Sequence, residues 1–109
     1  MTETRVVDPI TGGMKGMKLA QMGAIDPLAR WALAEVAGLG AKKYDRLNYL
    51  KGYAWSLSID AANRHLLQLD SGEDYDDETG LPHGAHLDWH GLCLTSFLLR
   101  GIGTDDRPK

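Results

Sequence analysis

His83 and His86 stand three residues apart, just beyond a run from Asp70 to Glu78 that carries six carboxylates in nine positions. Imidazole nitrogens and carboxylate oxygens bind divalent metals and move protons. Helical positions three apart share a face, so His83 and His86 would present two nitrogens side by side. Glu35, Glu73 or Asp76 could add oxygens. That mixture admits Zn²⁺ or Mn²⁺, whereas an all-carboxylate site favours Mg²⁺. HxxH alone is a weak signal, and capping or a hydrogen bond to the acidic loop accounts for it as well. The acidic run is not an EF-hand. Counting from Asp70 puts Tyr75 where glycine is required, and counting from Asp74 puts Thr79 there. No His-Asp dipeptide occurs, which disfavours an HD-type phosphohydrolase. Asp74, Asp77 and Glu78 read equally well as a solvated turn.

These groups need elements to hold them. Asp26-Pro27 is a helix start, with Asp at the N-cap and Pro at the first helical position. The first helix is expected over about 27–43, with Leu28, Ala32, Glu35 and Leu39 on one stripe. Residues 45–53 read as a turn and connector. A second helix is expected from about Ser56 to Asp70, capped by Ser56 or Ser58. Its stripe is Ile59, Ala62, Leu66 and Leu69, with His65 beside it. Gly72 ends it, and a loop closed by Gly80 and Pro82 follows. The third helix, about 83–100, places Leu87, Gly91, Leu94 and Leu98 on one face and His83, His86 and His90 on an adjacent one. Residues 1–25 read as an extended arm and 101–109 as a frayed tail. No alternating pattern is long enough to indicate a strand. The expected architecture is all-α, with three main helices in a single domain spanning 1–109.

Each helix therefore carries a titratable group on or beside its apolar stripe: Glu35, His65, then His86 and His90. A buried imidazole or carboxylate is costly unless it is partnered. One such group is ordinarily a satisfied core residue. Three helices doing it together imply that the groups converge.

Net charge of −3 gives no argument for a nucleic-acid polymer as partner. The charge is uneven, with nine Lys/Arg against six acids in residues 1–69 and three against nine in 70–109. That division suits an anionic ligand held partly through a metal. The basic side includes Lys15, Lys18, Lys42, Lys43, Lys51 and Arg64. "GGMKGMK" lacks the GK[ST] ending of a P-loop, though flexible glycines flanking two lysines could fold over phosphates. Its plainer reading is a solubilising arm. In "KKYDRLNY", Tyr44 could stack on a ligand and Asn48 read an edge, or both could pack a helix end. Cys93 is one cysteine in an apolar run, so it reads as a core residue and no internal disulfide is expected. The N-terminus lacks a signal-peptide core and no stretch is long enough to span a membrane, so a cytoplasmic location is expected.

In order along the chain, "GGMKGMKLAQMGAIDP", "GAKKYDRLNYLKGY" and "RHLLQLDSGEDYDDETGLPHGAH" precede an apolar helix. Together they resemble the phage dATP/dGTP diphosphohydrolase family of the N-terminal-domain type, which includes MazZ-type enzymes of phages that replace adenine with 2-aminoadenine. The resemblance covers about residues 11–100. It rests most on Lys43-Tyr44 with Asn48, Arg64-His65, Gly72-Glu73 with Asp76, and Gly80 with His83 and His86. It implies a MazG-like helical bundle completed as a homodimer or homotetramer. It also implies splitting of dGTP or dATP into monophosphate and pyrophosphate with Mg²⁺ or Mn²⁺, Zn²⁺ being less favoured, in phage nucleotide metabolism.

Under that resemblance Glu35, Glu73 and Asp76 would ligate the metal. His65, His83 and His86 would orient ligands, act as ligands or handle protons. Lys15, Lys18, Lys43 and Arg64 would contact phosphates, and Tyr44 and Asn48 the base or sugar. The chain departs from the MazG-like pattern of paired ExxE and ExxD: the first helix offers only Glu35, and Ala85-His86-Leu87-Asp88 stands where ExxD might lie. The rival expectation is a non-catalytic helical module with a structural His/carboxylate metal site.

Overall fold

The computed structural model describes residues 3–109. Two strands, β1 (Glu3–Val7) and β2 (Met14–Lys18), precede three helices: α1 (Pro27–Lys43), α2 (Trp55–Asp70) and α3 (His83–Arg100). Short 3-10 turns occupy Met22–Ala24 and Asn48–Lys51. Among the described residues, no helix is long and apolar enough to cross a membrane.

The molecule is mostly helical but not all-α. The expected arm contains an antiparallel hairpin, with Val7 opposite Met14, Arg5 opposite Gly16 and Glu3 opposite Lys18. Asp8 makes the turn: its Oδ1 accepts the N–H groups of Ile10 and Thr11 at 2.8 Å. Gly12 supplies a positive φ of 75°. The strands escaped the sequence reading because both are only five residues long, the second with a central glycine, and neither shows an alternation of buried and exposed faces. Nearly every position in both strands is exposed.

The helix bounds follow local chemistry. Asp26 Oδ2 accepts the Ala29 N–H at 2.9 Å and Pro27 opens α1. Gly72, at φ 100°, lets the chain leave α2. The cap of α2 differs from expectation. Its N-cap residue is Ala54, and neither serine caps it. Instead Asp106, from the C-terminal tail, accepts the Ser56 N–H at 2.9 Å and the Ser56 hydroxyl at 2.5 Å.

That tail is docked rather than frayed. Gly101 leaves α3 in the left-handed conformation, and the Ile102 N–H returns to the Phe97 carbonyl. Thr104 bridges to the chain before α2: its N–H donates to the Tyr53 carbonyl and its carbonyl accepts from Trp55 N–H. The Arg107 guanidinium lies 4.6 Å from the Trp55 ring centroid.

The buried faces also differ from the expected stripes. On α1 only Val36 is fully buried, flanked by half-buried Ala32, Leu33, Ala37 and Gly40, whereas Leu28, Glu35 and Leu39 are exposed. On α2 the buried residues are Ser58, Ala61 and His65, and Leu66 and Leu69 are exposed. On α3 they are His83, Ala85, His86, Cys93 and Phe97, and Leu98 is exposed. Cys93 is thus the core residue it was expected to be. α2 and α3 run in opposite directions, since His65 meets His83, Ser58 meets His90 and Tyr53 meets Phe97. α1 packs on α3.

Gly103 holds the tail closure. Its φ is 76°, and a Cβ there would lie 2.7 Å from the Tyr53 carbonyl oxygen. Gly103→Ala is expected to destabilise the fold by about 1–3 kcal/mol, read as a lower urea midpoint with an unchanged m-value.

Candidate active site

The site is built where α2, the acidic loop and the first turns of α3 meet. His65 projects from the middle of α2, and His83 is the first residue of α3. The Nδ1 atoms of the two rings lie 2.9 Å apart. His86, one turn further along α3, stacks on His65 with ring centroids 4.5 Å apart and planes only 5° off parallel. All three rings are buried, at 6%, 1% and 8% exposure.

The loop adds a carboxylate. Asp76 N–H donates to the Leu81 carbonyl and Gly80 N–H to the Asp76 carbonyl, closing a tight turn with Gly80 at φ 73°. Asp76 Oδ2 accepts both the N–H and the hydroxyl of Thr79 at 3.0 Å. The Thr79 hydroxyl proton is thereby committed, so Thr79 Oγ1 accepts from His86 Nε2–H at 2.7 Å. This assigns the Nε2–H tautomer to His86 from the hydrogen-bond pattern.

Ligand atoms of His65, Asp76 and His83 all lie within 4.8 Å of one another. Two features test whether these residues fit a divalent ion. Two nitrogens bound at 2.0–2.1 Å to one ion are about 2.9 Å apart at an octahedral right angle, which is the observed Nδ1 separation. In addition, His83 Nε2 is buried without a hydrogen-bond partner, 3.5 Å from Glu73 Oε2. A small closing movement would let Glu73 accept that N–H and leave Nδ1 as the ligand atom, the usual carboxylate–histidine–metal arrangement. The donor set fits a metal, and Glu73 stands behind a ligand rather than among the three clustered groups.

Burial governs the titration. It lowers His65, with the His86 charge acting the same way and Asp76 opposing. It lowers His86, again against Asp76. It lowers His90 to about 4, reinforced by His65 and His86. For Asp76 burial acts upward, but the two Thr79 hydrogen bonds and the neighbouring imidazoles outweigh it and hold the carboxyl below its usual range. At neutral pH His65, His86 and His90 are therefore neutral and Asp76 is charged, and a neutral imidazole and an ionised carboxylate are the states that ligate metal.

Two clefts flank this cluster. One, of about 440 Å³, is polar and is lined by Lys43, Arg64, His65, Asp76, Thr79 and His86 among others. The other, of about 420 Å³, is lined by Tyr44, Asn48, Tyr49, Tyr53 and Trp89, with the Tyr49 and Trp89 rings edge to face at 4.9 Å. Gly40, Trp89 and His90 line both.

The family model for dATP/dGTP diphosphohydrolase, N-terminal, matches residues 9–107. The chain belongs to this family. A curated relative, the dATP/dGTP diphosphohydrolase of Salmonella phage PMBT28, is 38% identical over 97 residues, covering 85% of this chain and 33% of the phage protein. The chain therefore spans about a third of the length of that relative. No solved structure matches it.

In this dATP/dGTP diphosphohydrolase family member, the structure brings together many of the residues singled out from sequence. His65, His83, His86 and Asp76 meet, with Lys43 and Arg64 on the same cleft and Tyr44 and Asn48 on its neighbour. Glu35 is not brought in: it is exposed on α1 and lines neither cleft. The expectation that it shares the packed stripe was wrong because α1 packs through its small residues, one helical position round from Glu35. Lys15 and Lys18 lie on the hairpin and line neither cleft, and Lys18 pairs with Glu3 at 3.2 Å. Sequence reasoning missed Thr79, Ser58 and Trp89. The spacing His83, His86, His90, Cys93, Phe97 is a continuous heptad-like seam, and reading it as one seam would have placed the histidines on the packing face.

The lowered imidazoles set a pH dependence. A histidine below 6.5 in the folded state takes up fewer protons than the unfolded chain between the two values, so stability rises with pH across that window. The contribution is intact above 6.5 and is lost as pH falls toward about 4, the His90 value. The Asp76, Asp105 and Asp106 carboxyls act below 3.8. In chelator, the thermal midpoint is expected to be lower at pH 5 than at pH 7.5, and the difference to shrink in His90→Asn.

Proposed function

We propose that this domain is a metal-dependent nucleoside triphosphate pyrophosphohydrolase that converts dGTP or dATP to the monophosphate and pyrophosphate, in phage nucleotide metabolism. The observation that carries it is the His65–Asp76–His83 cluster, of which His65 and Asp76 line a cleft together with Lys43 and Arg64. Two imidazoles with one carboxylate suit Mn²⁺ better than Mg²⁺. Both the family and the activity for which the phage relative is named support the substrate class. Supply of dGMP for 2-aminoadenine synthesis is one use such an activity would have.

The reaction adds water to the α-phosphorus and breaks its bond to the bridging oxygen of the leaving pyrophosphate. A bound divalent ion supplies charge neutralisation and makes water a stronger acid. Lys43 and Arg64 hold phosphate oxygens as charge builds on the leaving group. His86, whose Nε2–H is taken up by Thr79, has Nδ1 free to accept the proton released by water. Tyr44, Asn48 and the Tyr49–Trp89 pair would receive the base. The ligand types differ from the paired glutamates of the MazG-like pattern. Exposed Leu28 and Trp31 on α1 and Leu66 and Leu67 on α2 support pairing with further copies to complete the bundle.

A second reading rests on the coverage of the phage relative. Two thirds of its length lies outside the match, room enough for the chemistry to reside elsewhere and for this domain to bind nucleotide or metal without turnover.

The test is incubation of the chain with each dNTP and Mn²⁺, with pyrophosphate measured. Release from dGTP and dATP is expected, and His65→Ala and Asp76→Ala should each lower it by about 100-fold or more. Orthophosphate or tripolyphosphate as product would assign a different bond. No turnover, with one ion per chain surviving dialysis, would sink the enzyme reading in favour of the binding module.

A further inference from the structure

A nucleotide with its base in the aromatic cleft and its phosphates beside Lys43 and Arg64 must lay its pentose across the seam between the clefts, since the sugar links the two. Gly40, Trp89 and His90 form that seam. The space beside Gly40 is open, for a Cβ there would meet no atom within 4 Å.

His90 is held from behind. Its Nδ1 lies 2.9 Å from Ser58 Oγ, which lies 2.5 Å from the Tyr53 hydroxyl. Ser58 is fully buried, so its proton needs an acceptor. If Tyr53 donates to Ser58 and Ser58 donates to Nδ1, both hydroxyl protons are used. If His90 and Tyr53 both donated to Ser58, the serine proton would be stranded in the interior. If His90 donated to Ser58 and Ser58 to Tyr53, the phenol proton would be left with only the Cys93 sulfur, a weak acceptor. The chain of hydrogen bonds therefore runs from Tyr53 through Ser58 to His90. An accepting Nδ1 carries no proton, so the ring proton is on Nε2. Nε2 has no hydrogen-bond partner among the described residues and, unlike His83 Nε2, is not sealed from solvent.

We propose that His90 donates its Nε2–H to a pentose oxygen of the bound nucleotide, with Ser58 and Tyr53 as positioning residues that fix the tautomer. The inference rests on the nucleotide reading of the two clefts and deepens it by assigning the sugar contact. It also gives a reason for a buried serine and a half-buried phenol that the hydrolysis itself does not use.

Long-range proton–nitrogen NMR in chelator reads the tautomer directly. The wild-type protein is expected to show His90 protonated on Nε2, and Ser58→Ala a mixture of tautomers. Calorimetry with Mn²⁺ then compares dGMP with inorganic tripolyphosphate. His90→Asn keeps a polar group near Ser58 but cannot reach the Nε2 position. It should weaken dGMP binding by about three- to tenfold and leave tripolyphosphate binding unchanged. His90→Gln, which reaches that position, should recover part of the loss. A wild-type His90 protonated on Nδ1, unchanged dGMP binding, or equal weakening of both ligands overturns the proposal while leaving the nucleotide reading standing. Wild-type protein that binds tripolyphosphate but not dGMP overturns both.

Discussion

The ring of His65 lies flat against His86 and edge-on to a hydrogen bond with His83, and the joint between α2 and α3 is built around that contact. Imidazoles in a core of this size would be costly without partners, so their satisfaction constrains everything nearby. Thr79 must be placed to accept from His86, which requires the Asp76–Gly80 turn. That same turn presents the Asp76 carboxylate to His65 and His83. Ser58 must answer His90, and Tyr53 must answer Ser58. The other buried residues of these two helices include the small Ala61 and Ala85. The polar seam is consequently both the core and the candidate site, and neither can be altered without the other.

The electrostatic consequence is a set of groups in complementary states. Burial disfavours protonation of His65, His86 and His90, while hydrogen bonds from Thr79 keep Asp76 ionised. Neutral nitrogens and a charged oxygen are what a divalent ion requires. Lys43 and Arg64 line the same cleft with positive charge. The uneven charge along the chain thus brings both signs to the lining of one cleft, with Asp76 and Glu78 beside Lys43 and Arg64.

Much of this was legible before folding. Asp26-Pro27 and Gly72 mark helix ends through capping and backbone freedom, which act over three or four residues and can be read from a line of letters. His65, His83 and His86 could be flagged because titratable groups beside apolar stripes are unusual. The faces themselves were misjudged. Leucine spacing pointed to Leu66, Leu69 and Leu98, yet these are exposed, and the packed faces run through Ser58, His65, His86 and Cys93. Periodicity ranks residues by hydrophobicity, and here shape and hydrogen bonding decided which side of each helix turned inward. The hairpin escaped for a related reason: with both faces exposed, its strands carry no alternation to detect.

The sequence by itself determined where the helices begin and end, which residue types were available for chemistry, and, through several ordered motifs, the family. Those properties depend on near neighbours or on the identities of side chains. Only the tertiary structure decided that Asp76, not Glu35, joins the histidines, that Asp106 caps a helix fifty residues away, and that His90 sits where two clefts meet. Each of these is a contact between distant segments, set by how three helices pack and how one loop closes, and no local pattern in the chain encodes that distance.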